Sequence, residues 1–423
     1  MFRNLIIPVL VITAMLSAVP ASAQALNDSL FKRDRNVSVK ERPKPGYTTD
    51  GLPMGRFRVQ PILNVQTEFN DNIFASDANE QSDTIFVINP IVQAKSDFSR
   101  HELIFGGNVN HREFSDIGSE SYTNYGANID GRVDVKRGTY INAGTNYQKS
   151  HEERSEAGFA NGVLEPIEFE ITNFYAEGVH ETGRIRASVS GGFGKWNYED
   201  GQLAGGLPAD QDFRDRDIID AGARIDYAIS PDTAVFARVR YQDQQYDFVV
   251  PGGIDRDQNG YILDVGADFD LTNLVRGEVG VGYVNRKFDA PLTPDFDGLS
   301  YTAKFDWFAT PLITVSANGA RSVNASGLVA SPAFVDTTVG VGADYEYRRN
   351  VIFSAAYQHS DQKYRGIDRA DKRNTLSAGA TYLMNRNVGF NAGIVRTSLS
   401  SDGALSQSNF GVTQVRIGLT LKR

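Results

Sequence analysis

Charged residues recur at every second position along several stretches of this chain: Arg184 and Arg186, then Asp220, Arg224 and Asp226, then Arg238 and Arg240, then Asp264 and Asp268, then Arg276 and Glu278. Period two puts each set on one face of an extended strand. Facing side chains of neighbouring strands come within pairing reach. Two roles follow. The residues can form a charged constriction that sorts solutes by sign. They can also form cross-strand ion pairs that stiffen a wall, each exposed pair contributing ~0–1 kcal/mol. The two roles are compatible.

Other chemistry has little support. The histidines are His101, His111, His151, His180 and His359, with no HExxH or HxH spacing and no GxSxG elbow, so no enzyme is expected. The run "DRDQNG" places Asp255, Asp257 and Asn259 as the opening of a calcium loop. The position that should carry the bidentate Glu is Gly266, so a polar loop turning at Gly260 is the expectation, with no metal and no other cofactor. The chain has no cysteine, which excludes disulfides and thiolate sites. A net charge of −9 argues against a nucleic-acid partner. Tyr122, Tyr140, Trp196 and Phe236 share the charged parity but are too scattered to form a stacking lane for sugars.

The strands that must position these charges have a second face. In "LVRGEVGVGYVNRKFD" (274–289), Val275, Val279, Val281 and Tyr283 lie opposite Arg276 and Glu278. A soluble sandwich would turn the apolar face inward. An outer-membrane barrel would turn it to lipid and the charges to a watery lumen. About eighteen such runs follow one another from Arg56 to the end, each longer than the ~5–6 residues usual for soluble strands. Their connections alternate. "VKRGT", "LTN" and "YRRN" are short, whereas "NDNIFASDANEQSD" and "EDGQLAGGLPADQDFRD" are long. Barrels sort their loops this way, with short turns periplasmic and long loops outside. On the apolar parity, Tyr147, Phe193, Tyr241, Tyr283 and Tyr301 fall toward the long loops. Tyr227, Phe269, Trp307, Tyr345, Phe353, Tyr382 and Phe390 fall toward the short turns. Two aromatic bands around an aliphatic one suit two lipid–water interfaces. The expectation is an all-β, transmembrane, antiparallel up-and-down β-barrel of about 18 strands, wide enough for an aqueous channel.

The beginning of the chain reads as export machinery. Arg3, an apolar run from Leu5 and the small residues Ala21-Ser22-Ala23 form a signal peptide over 1–23. Residues 24–55 lack period-two patterning and carry Pro43, Pro45, Gly46, Gly51 and Pro53, so an extended periplasmic leader is expected there, with the barrel over 56–423. After the signal no run of ~18 apolar residues occurs.

The segments "ERPKPGYTTDGLPMGRFRVQPILNV", "FNDNIFASD", "YAISPDTAVFARVRY" and "ATYLMNRNVGFNAG" resemble the putative β-barrel porin 2 family of bacterial outer-membrane proteins, over nearly all of the chain past the signal. The resemblance implies a barrel in the outer membrane of a Gram-negative cell, in contact with its lipid and lipopolysaccharide and inserted by the barrel-assembly machinery. The last run, "VTQVRIGLTLKR", keeps the alternation of a closing strand, with Arg423 where an apolar residue is expected. Some members of the family lie beside exopolysaccharide genes, which implies polysaccharide-export components as partners. Three functions are therefore set side by side: a porin-like channel for hydrophilic material, a conduit for exopolysaccharide, and a structural barrel without transport.

Overall fold

The computed structural model describes residues 37–156, 162–250, 253–272, 274–291 and 293–423; the signal peptide expected over 1–23 lies outside them. Eighteen strands make the wall: β1 Phe57–Asn70, β2 Asp83–Ser96, β3 Glu102–Phe114, β4 Tyr122–Lys136, β5 Thr139–His151, β6 Glu168–Thr182, β7 Ile185–Tyr198, β8 Arg216–Ser230 and β9 Thr233–Tyr246, followed by β10 Gln258–Leu271, β11 Val275–Phe288, β12 Phe296–Thr310, β13 Ile313–Ala325, β14 Ala333–Arg348, β15 Val351–Tyr364, β16 Ala370–Leu383, β17 Val388–Asp402 and β18 Phe410–Lys422. Each pairs antiparallel with the next. The ring closes where β18 pairs with β1, from Ile62 opposite Lys422 to Asn70 opposite Gln414. Every strand of the wall thus has a paired neighbour on both sides, which satisfies backbone that lipid cannot; the β12–β13 ladder stops at Thr302 opposite Ala320, below the long-loop end.

The alternation resolves as an inverted protein. Val189, Ile225, Val265, Val281 and Ile417 point outward and are half or more exposed. Arg224, Asp226, Arg238, Asp264 and Asp268 point inward and are buried. A soluble sandwich would reverse these values. Tyr227, Trp307, Tyr345, Phe353, Tyr382 and Phe390 are exposed near the short turns, and Tyr241 and Tyr283 near the long loops, as expected of interfacial girdles. Tyr382 stacks on Phe390 across the β16–β17 pair, with ring centroids 6.2 Å apart.

The short turns hold the strands tightly. Gly138 and Gly183 adopt φ of 74° and 57° in two of them, a conformation that costs other residues strain. At the start of the wall a three-residue piece, Leu52–Met54, folds back on Phe57–Val59. A minor hairpin joins Gly201–Gln202 to Pro208–Ala209 in the loop before β8.

The two faces predict opposite tolerance to charge. Val341, at the middle of β14, is exposed on the outer face. Gln358, beside it on β15, is exposed on the inner face. Val341→Arg puts a charge in lipid at ~2–4 kcal/mol near the midplane. Gln358→Arg leaves it in lumen water. Heat-modifiable gel mobility should show lost folding for the first change and retained folding for the second. Equal behaviour would contradict the assignment of faces.

Candidate channel lumen

The inner face of β8 to β11 carries one connected charge network, with a separate ion pair beside it between β11 and β12. Arg224 donates to Asp226 at 2.8 Å, to Asp268 at 3.0 Å and to Glu278 at 2.9 Å. Arg238 donates through Nε to Asp264 at 2.9 Å and faces Glu278 at 3.6 Å. Arg240 reaches the other oxygen of Asp264 at 3.4 Å. Arg276 bonds Asp306 at 2.8 Å. Strand register explains the meeting. Arg238 stands opposite both Arg224 and Asp264, and Asp268 stands opposite Glu278. Glycines make room within the network. Phe236 lies in one row with Gly266 and Gly280, and a Cβ at Gly266 would meet its ring at 2.4 Å. The ring thus lies flat along the wall, with the Arg224 guanidinium 4.0 Å from its centroid.

Of the residues singled out from the sequence, Arg186, Asp220, Arg224, Asp226, Arg238, Arg240, Asp264, Asp268, Arg276 and Glu278 all stand on the inner face of the wall. Arg186 is 3.2 Å from the Tyr140 hydroxyl, and Asp220 accepts from Gln242 at 2.9 Å. Arg184 does not line the lumen. It occupies the turn Gly183–Arg184 and is exposed, because the strand β7 starts only at Ile185, two residues later than the alternation suggests. The wall-stiffening role accounts for more of this set than a free charged ladder does, since Arg224 and Arg238 are both buried among carboxylates.

The calcium-loop reading does not assemble. The Asp255 carboxylate accepts from the Asp257 backbone at 3.0 Å, and Asp257 caps Tyr246 N at 2.7 Å. Asn259 and Gly260 already belong to β10, so the chain does not turn at Gly260. Among the described residues the one acidic group with ligand-like spacing is Asp200, Asp210 and Asp212, all exposed.

Both ends of the lumen are partly filled, a feature that alternation along strands cannot reveal. At the short-turn end, residues 38–44 of the leader sit against the inner wall. Val39 N donates to Thr314 Oγ1 at 3.0 Å, Lys40 pairs with Asp344 at 2.8 Å, and Arg42 pairs with Glu346 at 3.4 Å. Glu41 meets Arg276 at 3.1 Å, and Val39 is wholly buried. At the long-loop end, residues 152–156 and 162–167, between β5 and β6, fold inward. Arg154 pairs with Glu120, and Arg214 bonds Glu152 through Nη1 at 2.9 Å. Val163 and Ile167 pack on Phe169, Trp196 and Ile218. Arg373, on β16 far around the ring, donates to the Ser155 carbonyl. Burial, together with the charges of Glu152 and Glu153, pushes the Glu156 carboxyl in this loop up to about 8. Between the two ends, Asn318, Ala356 and Gln358 on the far arc of the inner face are exposed, so water reaches the wall there.

A family model described as "Putative beta-barrel porin 2" matches residues 44–423. No curated protein matches the chain. Several solved outer-membrane proteins are similar in shape. One is a ferric enterobactin receptor, PfeA, of Pseudomonas aeruginosa, at 8% identity over 86% of this chain and 81% of that one, TM-score 0.47. A siderophore receptor, PirA, of Acinetobacter baumannii has 7% identity over 86% and 80%, TM-score 0.47. The outer membrane protein OpdK of Pseudomonas aeruginosa has 12% identity over 86% and 99%, TM-score 0.45.

Proposed function

Because the chain belongs to the Putative beta-barrel porin 2 family, we propose that it is an integral outer-membrane channel that passes small hydrophilic solutes and is held narrow by its own leader and by the loop between β5 and β6. The observation that carries this reading is the middle of the inner face: charged from Arg224 to Asp268 on one arc, with Asn318 and Gln358 exposed on another, between two partly filled ends. A wall of eighteen strands encloses an aqueous interior by its circumference alone. In this reading the termini and short turns are periplasmic, the long loops face the medium, and residues 1–23 direct export.

A polysaccharide conduit needs free ring faces on which sugars can slide. The lumen rings are engaged already. Phe169, Trp196 and Tyr198 stack on one another at 5.3–6.4 Å, and arginines lie over Trp196 and Tyr198. Small solutes fit this interior better. Purified barrel in a planar bilayer should give ion-permeable single channels. Silence of both the whole chain and a leader-truncated chain would remove the channel reading. Loss of surface polysaccharide on deletion of the protein would then favour the conduit, and its retention the structural barrel.

A further inference from the structure

Most lumen arginines have a carboxylate. Of those that do not, three gather around Tyr246 near the long-loop end. Arg216 at the start of β8 and Arg286 near the end of β11 are buried, and so is Arg256, just before β10. Arg216 donates to the Arg214 carbonyl at 2.9 Å. Arg256 donates to the carbonyls of Leu328, at 2.7 Å, and Ser326. Arg286 donates to the Gln242 amide oxygen at 2.9 Å, reaching across Gly260, which stands between them in the row without a side chain. None of the three forms an ion pair among the described residues. Arg216 Nε, Arg256 Nε, and Arg286 Nε and Nη1 are buried without a hydrogen-bond partner, as is the Gln258 amide nitrogen.

The three belong together. Arg216 lies over the Tyr246 ring at 5.8 Å and Arg256 over the same ring at 5.1 Å. Arg286 interacts electrostatically with Asp220 and, less strongly, with Tyr246, without an ion pair to either. Gln244 and Gln258 face each other in the next row of the wall. Nearby carboxylates accept their hydrogen bonds from other groups: Glu152 from Arg214, Asp215 from Tyr198 N, Asp257 from Tyr246 N, and Asp220 from Gln242. Burial and the like charges of Arg216 and Arg214 lower the Arg256 pKa, as expected of cations lacking a counter-charge. Buried guanidiniums without an anion are costly, and their unmet N–H groups point to a missing acceptor.

We propose that Arg216, Arg256 and Arg286, with the Gln258 amide, form a binding station for a small oxyanion, a carboxylate or phosphate group, in the upper lumen. Guanidinium forks match both groups in geometry. The aromatic faces here are already covered by arginines, so recognition falls to charge and N–H donors and not to sugar stacking. The site stands on its own geometry. Its use as a selectivity station rests on the channel reading.

The test is binding in detergent, without conduction. Equilibrium dialysis with radiolabelled inorganic phosphate and with citrate, at matched chloride ionic strength, should show saturable uptake of at least one anion. Uptake of phosphate alone points to a phosphoryl ligand, and of citrate alone to a carboxylate; both place an oxyanion at the site. A second readout comes from Trp196, 4.5 Å from Arg216, in a Trp307→Phe background that removes the lipid-facing tryptophan. Its emission should change with the same midpoint. Arg286→Gln should weaken binding tenfold or more, because a charge-assisted bond is lost. Arg132→Gln, whose cation already pairs with Asp134 at 3.0 Å, should bind as the parent does. No saturable uptake of either anion would overturn the proposal. So would equal uptake by the Arg286→Gln protein in its folded, heat-modifiable form. A silent channel with intact anion binding would count against the channel reading alone.

Discussion

Removing residues 24–50 should raise single-channel conductance several-fold while leaving the barrel folded. The leader segment 38–44 touches the wall through separate polar contacts. Lys40–Asp344, Arg42–Glu346 and Glu41–Arg276 are partly exposed pairs, and pairs of that kind contribute ~0–1 kcal/mol each. Burial of Val39 adds roughly 1.5–3 kcal/mol. These sums hold a short segment in place without making it part of the ladder. The ring closes between β1 and β18 and does not use residues 24–50. The double change Lys40→Glu and Arg42→Glu turns two attractions into repulsions against Asp344 and Glu346, and should reproduce most of the effect with the full-length leader. Conductance unchanged in both proteins would mean that the leader does not narrow the path.

The largest stability loss from a single change is expected at the closure seam. Glu68 on β1 is wholly buried and takes Arg416 of β18 at 2.9 Å and Arg112 of β3 at 2.9 Å. One carboxylate thereby joins the last strand to the first and the first to the third. Glu68→Ala removes the charge that both guanidiniums share, and the loss of one member of a buried ionic group costs about 3–5 kcal/mol. Glu68→Gln keeps the shape and part of the hydrogen bonding, so it should fall between. The temperature at which the compact gel form converts to the unfolded one should drop most for Glu68→Ala. A conversion temperature equal to that of the parent would show that the seam is held by backbone pairing alone.

The wall was legible without coordinates because its determinants are local. Side-chain alternation along a strand depends on the pleat alone, and so Val281 and Glu278 declare opposite faces within four residues. Loop lengths and outward aromatics such as Tyr227 and Trp307 depend on which end of a strand meets which interface, again a property of one hairpin at a time. The error at Arg184 came from the same local rule, which cannot say where a two-residue turn stops and a strand starts. What only the tertiary structure decided depends on contacts between residues far apart in the chain. Alternation placed Arg224 and Asp268 on the inner face, but strand register decided that they bond and become a buried network in place of a free ladder. Nothing near Val39 in the sequence points to Thr314, and nothing near Ser155 points to Arg373. Arg216, Arg256 and Arg286 look like any other lumen arginine in the sequence. That none of them forms an ion pair, and that buried N–H groups on each go unmet, emerges only once the ring has set them among their neighbours.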